Sequence, residues 1–383
     1  MKWTTTILIF CVAVLNGLGL VMLYSSSMNM DSSTNQAGAG THYLLSQLAW
    51  CCFGLIGCVV AASVDYRKLK TAAPWLLGIS VVLLVLVFAP KIGIARHGAR
   101  RWIGLAGLPH FQPSELAKLA LILFLAGYAD RFQRQMGGFY KGLVIPGAII
   151  VTVLALIFIE PDRGCTILLA AVCGAMLLLA GARLHFIIPP ALLLGTGLAI
   201  SLLHDPMRLR RILAWLHPEQ SKDGAGYQAW EAMIALGSGG WLGLGLGNGR
   251  QKLGFVPEHH TDFIFSIIGE ELGLVATMIV LLLFVLLVVC GFRIANRASD
   301  TFGLLLGAGL TSMIAMQAFI NIGVVTSVLP NKGMPLPFIS YGGSNLVLML
   351  VSIGLLLSIS RFAVAPVKRK SNPFEAVPEA SHA

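Results

Sequence analysis

The sequence predicts an all-helical, polytopic bundle embedded in a membrane, on three observations. Apolar residues make up 56% of the 383 residues and charged residues only 11%, against roughly 25% charged in a soluble globule. Mean hydropathy is +0.81. The chain also falls into runs of about 20 apolar residues, the length a helix needs to cross roughly 30 Å of hydrocarbon. Open strands leave backbone groups unpaired in lipid, and no alternation of about ten residues points to a closed barrel. The same composition excludes a soluble globule, a disordered chain, a collagen-like fibre and a disulfide-rich secreted domain.

Ten spans are expected, over 5–24, 44–63, 73–90, 113–130, 142–160, 165–181, 185–204, 263–292, 302–326 and 345–363. The first is longer than a signal-peptide core and is followed by Tyr24-Ser25-Ser26-Ser27 rather than a small-residue cleavage site, so it reads as a retained helix. The fourth carries Glu115 and Lys118 inside it. The fifth and sixth are separated only by Glu160-Pro161-Asp162-Arg163-Gly164, a tight turn. One membrane domain is expected over 1–365, with a large loop at 205–262 between spans seven and eight. The tail, 366–383, reads as disordered, with Lys368-Arg369-Lys370 beside the last span. Seven cysteines lie in or beside apolar runs without a CxxC pair, which suits buried thiols better than disulfides or metal ligands.

Net charge is 27 − 17 = +10, which in a membrane protein points to anionic headgroups before nucleic acid. Ten spans put both termini on one side. Placing them in the cytoplasm leaves fourteen basic residues inside and twelve outside, a poor match to the positive-inside rule. The outer cations converge on 91–112, 205–262 and 327–344. Two readings stay open: they pair with phospholipid phosphates, or they form a site for an anionic substrate at the outer membrane face.

The loop at 205–262 is 58 residues long, and ordered chains rarely carry such a loop without a function. It holds Trp215, Tyr227, Trp230, Trp241 and Phe255, which favour the membrane interface, and Ala232 to Leu236 reads as a short helix. Its glycine run, Gly239 to Gly249, lacks the Gly-Lys-Ser/Thr of a phosphate loop and suits tight bends and close backbone approach. The loop ends at Pro257-Glu258-His259-His260-Thr261-Asp262. Thr261 or Asp262 can cap the following helix; alternatively, Asp262 is a general base at the rim of a cationic cavity. Eight residues of helix place Glu270 about 12 Å from Asp262, wider than the roughly 5–9.5 Å of a glycosidase carboxylate pair. Glu270 and Glu271, costly near a span, should face a polar cavity or pair with a cation.

In Gln112-Pro113-Ser114-Glu115-Leu116-Ala117-Lys118, Ser114 can cap the fourth span, and Glu115 and Lys118 share a helix face. Either they form an internal ion pair or they mark a functional site. Adjacent His259 and His260 on an extended segment point apart, which argues against a metal site. From Leu329 to Asn345, prolines and glycines imply a rigid non-helical approach to a ligand. Lys332 and the small residues Ser340 to Ser344 would suit a lipid-linked phosphate.

Five motifs together resemble the SEDS proteins of bacteria, the family of FtsW, RodA and SpoVE. They are Gln112-Pro113-Ser114-Glu115 with Lys118, Gly226-Tyr227-Gln228, His260-Thr261-Asp262-Phe263-Ile264-Phe265, Gly269-Glu270-Glu271-Leu272-Gly273 and Ser340-Tyr341-Gly342-Gly343-Ser344. The Pro-Asn-Lys-Gly-Met-Pro-Leu-Pro stretch, with Asn-Gly-Arg-Gln-Lys before the aspartate, is more FtsW-like than RodA-like. His259, Arg163 and Asn345 depart from the common pattern.

The resemblance implies ten helices with a large extracytoplasmic loop between the seventh and eighth, in the bacterial inner membrane with both termini cytoplasmic. It implies polymerisation of lipid II into β-1,4 glycan with inversion and a polyprenyl pyrophosphate leaving group. Asp262 would be catalytic, with Glu115, Lys118, Glu270 and His260 in support. Arg101, Arg211, Lys332, Ser340, Gly342, Gly343, Ser344 and Gln228 would bind substrate. A divalent cation, Mg or Mn, could assist, although no ligand set is visible. A class B penicillin-binding protein and other division proteins are the implied partners, and nucleic acid is not. A lipid II flippase, a RodA-like elongation polymerase and a scaffold for division partners remain the alternatives.

Overall fold

The computed structural model describes residues 2–27, 39–89, 93–96, 99–104, 111–217, 219, 224, 226–251 and 260–362. Lys91, Lys222, Lys252, Phe255, His259 and the tail from 366 lie outside the described residues. Ten helices match the ten expected spans one for one. They are α1 (Lys2–Ser27), α2 (Ala39–Ser63), α3 (Leu69–Leu86), α4 (Pro113–Arg131), α5 (Ile145–Ile159), α6 (Arg163–Leu179), α7 (Leu184–Leu203), α10 (Ile264–Ala295), α11 (Thr301–Val325) and α12 (Gly343–Arg361). Two more, α8 (Pro206–Leu216) and α9 (Tyr227–Ser238), belong to the long loop.

Eight of these helices are long and apolar enough to cross a membrane. The exceptions among the ten have plain causes: α4 carries Glu115, Lys118, Asp130 and Arg131, and α6 has 17 residues. Phe10, Phe53, Ile56, Val151, Leu282 and Phe319 point outward, forming a surface that hydrocarbon covers and water does not. Polar residues turn inward, and α4, α11 and α12 are the most enclosed.

Polar residues at the helix ends bond to one another in two groups. One group joins Ser25 to Glu271, Gln47 to Ser340 and Gln112 to Ser344. The other joins Tyr66 to Asp300, Lys70 to Asp130 and Arg361 to the Ala62 carbonyl.

A short antiparallel hairpin, β1 (Gly93–Arg96) and β2 (Ala99–Ile103), precedes α4, and Ile103 bridges to Phe111. No strand was expected there, because the pairing is local and too short to show a period in the sequence.

The long helix α10 is broken at Gly273, whose φ of 78° admits little but glycine. The glycine run of the loop enters this break. Leu244 and Gly245 donate to the carbonyls of Glu270 and Glu271, and Leu274 and Val275 donate to those of Gly240 and Trp241. Close backbone approach, as the sequence suggests, is what these glycines provide.

Candidate active site

The helix that follows the long loop begins with Phe263 at the capping position and no side-chain cap. The expectation that Thr261 or Asp262 caps it is therefore corrected: both sit in the turn before it. That turn is held by the α11–α12 loop. Tyr341 donates its backbone N–H to the His260 carbonyl at 3.1 Å. Asn321 donates to the Asp262 carbonyl at 2.7 Å and to the Met334 carbonyl at 2.6 Å. The Asp262 carboxylate lies against Gly333, where an added Cβ would collide with Oδ2. His260 packs with tilted rings against Tyr43 and Tyr341, with centroids 5.4 and 6.1 Å away, and the two tyrosines meet edge-on at 5.3 Å.

Next to Gly333, the half-buried Lys332 donates from Nζ to the Arg163 carbonyl at 3.0 Å. Burial pushes its pKa down to about 8, with Asp162 opposing and Arg163 assisting the shift. The ammonium remains the main form at neutral pH. Arg211, on α8, lines a cleft with Trp215, Gly226, Ser327 and Asn331, and Trp215 fastens α8 to the Ser327 carbonyl at 2.8 Å. Gln228 is on the neighbouring helix α9, partly buried.

Beneath the loop, Lys118 contacts both Glu115 oxygens, at 2.9 and 2.8 Å. A buried pair needs further hydrogen bonds to offset desolvation, and it has them. Lys118 reaches Gln317 at 3.2 Å, and Asn345 donates to Glu115 at 3.0 Å. Gln317 in turn donates to the Pro335 carbonyl at 2.9 Å, so the ion pair carries the loop that faces Asp262. Gln112, not Ser114, is at the α4 capping position, because Pro113 opens the helix. Ser114 accepts from the Gln112 side chain instead.

Arg101 donates to the Glu160 and Pro161 carbonyls at 3.1 and 2.7 Å, bracing the α5–α6 turn. Ser340 accepts from the Leu336 amide at 2.7 Å, and its carbonyl receives Gln47 at 3.3 Å. Gly342 donates to Gln47 at 3.4 Å, Trp50 packs where a Gly343 side chain would stand, and Ser344 accepts from the Gln112 amide. These residues shape the loop that borders the site.

Among the described residues, Glu270 and Glu271 take the backbone of the glycine loop, a partner that the sequence reading did not name. Glu270 accepts from the Arg250 and Gln251 amides at 2.7 and 3.2 Å. Glu271 accepts from Ser25 at 2.6 Å and from the Gly247 amide at 3.2 Å. Backbone amides give a carboxylate short, directional hydrogen bonds in place of a cation. Glu270 therefore fastens the loop rather than facing Asp262.

Sequence reasoning missed Gln47, Gln317, Asn321 and Asp162. Gln317 and Asn321 stand four residues apart on one face of an apolar helix. An amide stripe in a span was the signal, since polar side chains in hydrocarbon must find partners.

The FtsW/RodA/SpoVE family model, described as cell cycle protein, matches residues 5–364. A probable peptidoglycan glycosyltransferase FtsW of Trichlorobacter lovleyi is 40% identical over 365 residues, covering 95% of each chain. Stage V sporulation protein E of Bacillus subtilis is 38% identical, covering 93% of this chain and 97% of its own. Among solved structures, a chain from work on a peptidoglycan synthase complex that coordinates polymerization and crosslinking superposes with a TM-score of 0.74. It is 28% identical, over 92% of this chain and 96% of that one.

Proposed function

The chain belongs to the FtsW/RodA/SpoVE family, and from that premise we propose that it is the peptidoglycan glycosyltransferase that polymerises lipid II at the outer face of the bacterial cytoplasmic membrane. The observation that carries the site assignment is the Asp262 carboxylate held against Gly333, one residue from the half-buried Lys332. A base and a cation on two segments that Asn321 ties together suit an inverting transfer.

In this reading the acceptor sugar hydroxyl attacks the anomeric carbon of the lipid-linked donor as Asp262 takes its proton. The new bond is a β-1,4 linkage, and the bond to the polyprenyl pyrophosphate breaks with its electron pair. Lys332 meets the charge that develops on the departing oxygen, a stabilisation strongest in a site sheltered from water. The proton on Asp262 then passes to solvent. Glu115 and Lys118 act through Gln317 by keeping the loop in place.

Among the described residues no three His, Cys, Asp or Glu side chains converge as metal ligands. The expected partner is a class B penicillin-binding protein supplying the transpeptidase, in keeping with the polymerization–crosslinking complex to which the fold is similar. Both termini lie in the cytoplasm, and the FtsW relatives favour a septal role with other division proteins.

Purified protein given lipid II in vesicles tests the reading. Asp262→Asn and Asp262→Ala should insert and melt like the wild type yet make no glycan. Polymer at the wild-type rate from Asp262→Ala overturns the assignment. Lipid II supplied on one face and recovered only as monomer on the other would instead establish a flippase.

A further inference from the structure

The turn between α5 and α6 holds a carboxylate that the mechanism above does not use. Asp162 is nine-tenths buried. Its Oδ1 accepts the Cys165 amide at 3.1 Å, closing the first turn of α6, and its Oδ2 accepts Gln112 Nε2 at 3.3 Å, joining that turn to the start of α4. One residue on, the Arg163 carbonyl receives the Lys332 ammonium at 3.0 Å. The next residue is Gly164, where an added Cβ would meet Met334 at 3.2 Å and Lys332 Cε at 3.4 Å. The Lys332 stem therefore rests on the turn that Asp162 closes.

Building on the polymerase reading, we propose that Asp162 is the positioning residue for Lys332, holding the α6 turn against the lysine so that its ammonium meets the diphosphate of the lipid-linked donor. Lys332 sits beside a second cation, Arg163, and is largely removed from water. Both conditions favour loss of its proton, and Asp162 is the strongest electrostatic influence against that loss. Asp162, Arg163 and Cys165 act on Lys332 from the α6 side. Asp262 adjoins it through Gly333, and Arg101 donates to the Glu160 carbonyl in the same turn.

The experiment is the pH profile of glycan synthesis by the purified full-length protein on lipid II, from pH 6 to 9.5. Wild-type activity should fall along an alkaline limb near pH 8 as Lys332 loses its proton. Asp162→Asn keeps a capping side chain and should move that limb down by roughly 1 pH unit, with an unchanged melting temperature. Lys332→Arg, which stays charged to about pH 12, should remove the limb, and adding Asp162→Asn to it should shift nothing further. A limb unmoved by Asp162→Asn, or persisting in Lys332→Arg, overturns the inference. Those results would leave the polymerase reading intact, whereas polymer made by Asp262→Ala would strike only the assignment of Asp262 as base, and no polymer from the wild-type protein would strike the polymerase reading itself.

Discussion

Asn321 holds the backbone of Asp262 with the same amide that holds Met334, at 2.7 and 2.6 Å. The turn before α10 and the loop before α12 are therefore one rigid unit at the point where the carboxylate emerges. Asn321→Leu would leave two buried carbonyls without a donor, at about 1–3 kcal/mol. A lower melting temperature and a loss of glycan synthesis larger than unfolding explains are expected, measured on the same preparation.

Gly333→Ala gives a cleaner separation of fold from function. Gly333 is exposed, but its new methyl would collide with Asp262 Oδ2. The carboxylate must move, and displacement of about 1 Å can cost roughly 100-fold in rate. Thermal melting should stay at the wild-type value while the polymerisation rate collapses.

Lys118→Met should be among the most damaging single changes in the bundle. It leaves Glu115 buried and uncompensated, a loss of roughly 3–5 kcal/mol. Glu115→Leu combined with Lys118→Met should regain most of that stability. Activity should not return, because Gln317 loses its lysine partner and the Pro335 carbonyl its brace. Melting and activity assays on single and double variants check both halves.

Glu160 is fully buried, with neither carboxyl oxygen hydrogen bonded among the described residues. Burial first, then Asp162, push its pKa up to about 8, against an ordinary value of 4.5, with Arg101 opposing. A raised folded-state value means that the folded protein holds this proton more tightly than the unfolded chain. Its stabilising share is thus complete below pH 4.5, declines as pH rises toward 8 and is gone above it. Glu160→Gln should flatten this decline and raise the melting temperature at pH 8–9. A variant that melts lower than wild type across that range would contradict the account.

Gly243→Ala should cost the α10 break. Gly243 has φ of 80°, and its Cβ would strike the Glu271 carbonyl. The loop would withdraw from the helix, exposing the Glu270 and Glu271 carboxylates. Faster proteolysis within 239–251 is the expected readout.

The spans were legible because each shows locally, as a run of apolar residues bounded by charge or proline. The Glu115–Lys118 pair was legible for the same reason, three residues apart on one helix. The capping of α10 was misjudged because Thr261-Asp262 fits a cap locally, while its backbone is claimed by Asn321, 59 residues on. The partners of Glu270 were hidden for the same reason, since its donors come from a loop about 20 residues upstream.

Hydropathy and helical spacing by themselves determined a ten-helix membrane bundle, a long loop ending in Asp262 and charges inside the fourth helix. Tertiary packing alone decided which polar groups meet: Asp262 with Gly333, Lys332 with the α6 turn, Glu270 with glycine amides. The physical reason is that burial in hydrocarbon is a property of each segment. A hydrogen bond between buried groups depends instead on how distant segments pack, and the sequence carries that only as isolated polar residues awaiting partners.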